Sequence, residues 1–86
     1  MTATRINSAP QFTTRKVTAT SVGNLGSKAV VAPAVSGYEF VCWLQAASSG
    51  TVRAGYMQDP SQASTNVWNT NTNATTYICT ALYVKA

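Results

Sequence analysis

The chain has 86 residues, of which 45% are hydrophobic and only 9% charged, with a formal net charge of +4. That length fits one domain, and so small a domain buries a limited core, so self-association is a natural source of further stability. Histidine is absent and no run approaches the ~18 apolar residues of a membrane helix, which excludes ordinary zinc sites, histidine-based catalysis and helical membrane insertion.

Thr, Ser, Asn and Gln fill the place of the missing charges. β-branched Thr and Val favour strands over helices. In chain order, residues 1–11 read as an extended arm, polar, with Pro10 and no hydrophobic period. Its opening "MTATRINSAP" has no apolar core of a secretory signal. "FTTRKVTATSV" from Phe12 predicts a strand, "GNLG" at 23–26 a turn, and "KAVVAPAV" a second strand that Pro33 ends or places at an edge.

"YEFVCWLQAA" predicts the strongest strand. By strict alternation Tyr38, Phe40, Cys42 and Leu44 share a core face. Glu39, Val41, Trp43 and Gln45 share the other, so Val41 and Trp43 are expected at a contact between subunits. "SSG" then turns the chain into "TVRAGYMQ", which reads as the returning strand of a hairpin. "DPSQAS" is a loop opened by Asp-Pro, "TNVWNT" a short strand and "NTNTNA" a polar loop. "TTYICTALYVK" is the last strand, with Ile78, Thr80, Leu82 and Val84 on one face and Tyr77, Cys79, Ala81 and Tyr83 on the other. About six short strands separated by turns predict an all-β fold, a small antiparallel β-sandwich or barrel-like domain over residues 12–86.

Residue chemistry argues against an enzyme. The only acids, Glu39 and Asp59, lie far apart in sequence, and Asp59 is explained by the turn it opens. Neither Cys42 nor Cys79 has an evident base, and the two can be buried thiols or a disulfide. No phosphate-binding loop is present, so no catalytic, cofactor or metal residues are assigned and no cofactor is expected. The six basic residues are scattered rather than clustered, which argues against nucleic acid as partner. Binding is better supported. Aromatic rings can stack on sugars while amides hydrogen-bond their hydroxyls, and Trp68 sits between Asn66 and Asn69, next to the loop at 69–74. The candidate ligand-binding residues are therefore Trp68, Asn66, Asn69, Asn71 and Asn73.

The Thr-rich opening strand, the Gly37-Tyr38 segment and the ending Leu82-Tyr83-Val84-Lys85 resemble the C-terminal, receptor-binding head-like domain of phage and prophage tail-fibre or baseplate proteins. The resemblance spans roughly residues 12–86. It implies a homotrimeric virion structural protein, made in the host cytoplasm and carried on the virion. Its variable loops would meet host cell-surface polysaccharide, and other virion proteins would hold it. The alternative within that reading is a capsid decoration or head-fibre protein without a ligand, attached through the arm at 1–11.

Overall fold

The computed structural model describes residues 11–48 and 54–86. Residues 1–10 of the arm, and residues 49–53, which hold the last two residues of the Ser-Ser-Gly turn and the start of the hairpin strand, lie outside the described residues. The described chain contains six strands and no helix: β1 (Phe12–Val22), β2 (Ser27–Val31), β3 (Tyr38–Ser48), β4 (Tyr56–Met57), β5 (Ser64–Trp68) and β6 (Thr75–Lys85). They form two antiparallel three-stranded sheets, a large one in the order β1-β6-β3 and a small one in the order β2-β5-β4. The all-β expectation therefore holds, as a small sandwich.

Strand β6 is the centre of the large sheet. Its faces alternate: Tyr77, Cys79, Ala81 and Tyr83 are buried against the small sheet and its loops, while Ile78, Leu82 and Val84 look outward, with Thr80 of that outer face also buried. Ala19 and Val22 of β1, Trp43 and Ala46 of β3, Val30, Met57 and Val67 complete the core. The strands of the small sheet are only five, five and two residues long, against eleven for each strand of the large sheet. The segment after β2 covers the part of the inner face that the small sheet does not reach. There Ala32 and Val35 pack on the core, and the Tyr83 hydroxyl donates to the Pro33 carbonyl.

The expected faces of β3 need correction. The register of β3 on β6 slips twice, once between Phe40 and Cys42 and once between Trp43 and Gln45. Each slip sets two β3 residues opposite one β6 residue, which is a β-bulge. Val41 and Cys42 both answer Leu82, and Leu44 and Gln45 both answer Thr80. Strict alternation becomes a period of three, with Phe40, Trp43 and Ala46 inward and the residues between them outward. Trp43 is thus a core residue, 3% exposed, rather than a subunit contact, and Leu44 is outside at 53%. Val41 stays outward, 41% exposed, as expected.

Two hydrogen bonds, one from the backbone and one from the side chain of Trp43, fix the bulged strand. Trp43 N–H donates to Pro60 O at 2.8 Å, and Trp43 Nε1–H donates to Gln62 O at 2.8 Å. The loop between β4 and β5 therefore clamps the tryptophan it covers. Phe40 meets Trp43 and Tyr83 edge-on, with centroids 5.9 and 6.0 Å apart, a favoured aromatic geometry. The expected hairpin from β3 into β4 also changes: β4 pairs with β5 in the other sheet, and one bond, Gly55 N–H to Ala46 O at 2.7 Å, ties its approach to β3.

The cysteines lie on opposite faces of one sheet. Cys42 answers Leu82 and faces out, whereas Cys79 answers Ala46 and is wholly buried, so both are free thiols.

Candidate functional site

The outer face of the small sheet carries the most ligand-like surface among the described residues. Tyr56 and Trp68 are direct cross-strand partners of β4 and β5, so their side chains stand side by side on one face. Both are exposed, Tyr56 at 59% and Trp68 at 38%. A sequence with so few aromatics would be expected to bury these two, so their exposure is informative.

Two amides frame the pair. Gln58 N–H donates to Asn66 O at 2.9 Å and continues the ladder one step past β4. Its side-chain Oε1 accepts from Trp68 Nε1–H at 3.0 Å and from Asn66 Nδ2–H at 3.4 Å. Gln58 thereby holds the indole ring in place. Among the described residues nothing takes the Gln58 amide NH2 or the Asn66 Oδ1, which leaves one donor group and one acceptor beside the two rings. This is a flat, uncharged surface of two aromatic faces with amide groups at their edge. Such a surface suits a sugar ring, whose C–H faces stack on aromatics and whose hydroxyls pair with amides.

The structure divides the five expected ligand residues. Trp68 and Asn66 lie on this face. Asn69 turns the other way and is buried, 3% exposed. Its Nδ2 lies 2.9 Å from Val22 O, 3.1 Å from Gly23 O and 2.8 Å from Asn73 O, and its Oδ1 accepts from Tyr77 Oη–H and Asn71 N–H. Asn71 Nδ2–H donates to Tyr77 Oη at 2.9 Å. Asn69 and Asn71 are thus the internal frame of the 69–74 loop, a correction to their expected role in ligand binding. The physical reason is burial: a polar group out of water must be paired within the fold, and here the pairing organises the loop. Asn73 is exposed, and its carbonyl joins the same frame by accepting from Asn69 and Thr75.

Sequence reasoning placed Trp68 and Asn66 among the ligand residues but left Tyr56 and Gln58 out of that set. Their signal was present in principle, because the alternation of "GYMQ" puts Tyr56 and Gln58 on the same side. Only the pairing of β4 with β5 shows that this is the side of Trp68.

The remaining chemistry is sparse. Glu39 and Asp59 do not form a pair. Glu39 sits on the outer face of the large sheet, while Asp59 Oδ1 accepts from both Ser61 N–H and Ser61 Oγ–H and shapes the turn after β4. Among the described residues no three potential metal ligands come together. Burial raises the Cys79 thiol to about 11, the direction opposite to an activated nucleophile.

No family profile, curated protein or solved structure matches this chain.

Proposed function

We propose that this chain is a structural protein of a phage virion, a tail-fibre or receptor-binding head-like domain that self-associates and binds host-surface glycan through Trp68, Tyr56, Gln58 and Asn66. The observation that carries the binding half is the exposed cross-strand pair Tyr56–Trp68, with the indole fixed by Gln58. The virion half rests on the sequence resemblance. It gains support from the way the two resembling segments meet: Tyr38 is the register partner of Lys85 and Phe40 that of Tyr83, and Ala86 N–H donates to Gly37 O at 2.9 Å. Gly37 has φ +82°, a conformation that L side chains rarely adopt, so a glycine before Tyr38 follows from the backbone.

Tryptophan fluorescence tests the binding half. In a W43F background Trp68 is the remaining indole, and titration with host cell-wall polysaccharide should change its emission saturably. W68A and Y56A should each weaken retention on the polysaccharide about tenfold or more while leaving the melting temperature within a few degrees. Unchanged retention in both variants would remove this face from the ligand site.

A second reading, a capsid decoration or head-fibre protein without a ligand, is favoured by a different observation: the outer face of the large sheet is apolar and exposed at Phe12, Val41, Leu44 and Ile78, as a surface made for assembly would be.

A further inference from the structure

We infer that the outer face of the β1-β6-β3 sheet is covered by another copy of this chain, with Lys16 of one copy set against Glu39 of the partner subunit. The inference deepens the self-association reading above and is independent of the glycan site, which lies on the other sheet.

The apolar character of the face argues for a cover. Four of the eight large hydrophobic side chains exposed among the described residues, Phe12, Val41, Leu44 and Ile78, stand on it. Leu82 and Val84 run between them along the central strand, half-buried. The two bulges of β3 enlarge the patch, because each sends an additional aliphatic residue, Val41 or Leu44, outward.

Its charges say what the cover is. Among the described residues, Lys16 and Glu39 are the charged side chains of this face. Lys16 answers Thr80 on the β1 side and Glu39 answers Val84 on the β3 side, so they flank Leu82 on opposite edges. By strand spacing and rise they are roughly 16 Å apart, too far to pair within one chain. Lys16 Nζ reaches only Thr80 Oγ1, at 3.5 Å, and among the described residues no cation pairs with Glu39. A rotation that brings the β1 edge of one copy over the β3 edge of another sets each charge against its opposite across an aliphatic centre. The chain has only two acids, and one stands here, where an anionic partner or lipid surface would disfavour it. The face is complementary to itself, which is what a two-fold contact between identical subunits requires, so this face pairs two copies and is not the contact of the trimer that the resemblance implies.

Sedimentation equilibrium over a concentration series, on the wild type and on K16E, E39K and the double variant K16E/E39K, tests this. The wild type should assemble. Each single variant should weaken assembly about tenfold or more, and the double variant should recover most of the loss, because it restores the pair with the signs exchanged. K16E makes the chain less positive, so relief of general repulsion predicts tighter assembly, the opposite of the expected result. Both positions are at the surface, and thermal melts of all four proteins check that folding is intact. A wild type that stays monomeric would overturn self-association and this interface together. A wild type that assembles, with single variants unchanged or a double variant no better than the singles, would overturn this interface and leave self-association standing.

Discussion

Tyr77 Oη–H donates to Asn69 Oδ1 at 2.7 Å, inside the sandwich, and the same hydroxyl accepts from Asn71 Nδ2–H at 2.9 Å and Thr70 N–H at 3.3 Å. One phenol on the central strand thus anchors the loop that follows β5, and with it the end of the strand that carries Trp68. The loop is polar and near the surface, yet its first residue is part of the core.

Removing either partner should therefore cost stability out of proportion to its size. N69A removes one donor from the carbonyls of Val22, Gly23 and Asn73 and takes away the acceptor of Tyr77 Oη–H and Asn71 N–H, and is expected to cost about 3 kcal/mol, since each buried group left unpaired costs roughly 1–3 kcal/mol. Y77F keeps the ring and should cost about 1–2 kcal/mol. Urea titrations of the two variants check this, and N69A within a few tenths of a kcal/mol of wild type would show that the network is not the loop's anchor.

Gly55 approaches the same tyrosine from the other side. A Cβ there would lie 2.9 Å from two carbons of the Tyr77 ring and 3.1 Å from Val67 Cγ2. Tyr77 cannot retreat without breaking its hydrogen bonds, so G55A is expected to destabilise by about 1–3 kcal/mol. Differential scanning calorimetry should show a fall of several degrees, given about 4–8 °C per kcal/mol for a domain of this size.

Trp43 separates packing from hydrogen bonding. W43A leaves a large cavity between the sheets and should cost about 3–5 kcal/mol. W43F retains part of the volume and contact with Phe40 but removes the bond from Nε1 to Gln62 O, at about 1–2 kcal/mol. The same substitution should remove the blue-shifted part of the native emission, leaving the redder emission of the exposed Trp68. A W43F spectrum that is not red-shifted would contradict the burial assigned to the two indoles.

The two thiols should react differently. At pH 8 and low protein concentration, a thiol reagent should modify Cys42 and leave Cys79 untouched until the chain unfolds. Burial raises the folded Cys79 thiol from 9.0 to about 11 and also raises Tyr83, whose shift is partly opposed by Arg15. A folded pKa above the unfolded one means the contribution is fully present below pH 9 and is lost as pH rises from about 9 to 11. Stability should therefore fall across that window, by up to about 2 kcal/mol from Cys79. C79V should flatten part of the fall, and an identical pH profile in C79V would remove Cys79 as its source.

Much of the architecture was legible in the residues. β1 and β6 run over the stretches that Thr and Val content predicted, because an alternating strand bounded by turn residues is a local property of the chain. β6 also declared its faces correctly: the bulges in its two ladders fall on its neighbours β1 and β3, so period two survives along β6 itself. The same local reasoning failed on β3, where its apolar residues, read by alternation, placed Trp43 outside and Leu44 inside. The bulges that reverse them arise from pairing with β6 and from the loop that hydrogen-bonds Trp43, residues far away in sequence. Asn69 and Trp68 show the same division. As neighbours on a strand end they must point to opposite sides, and that much was local. Which side was core depended on Tyr77 arriving from β6 and on β4 placing Tyr56 beside Trp68. Composition and period thus determined that this protein is a small all-β domain with its strands where they are. Long-range pairing decided which aromatics pack and which are presented, because burial is a property of what a side chain meets and not of the side chain alone.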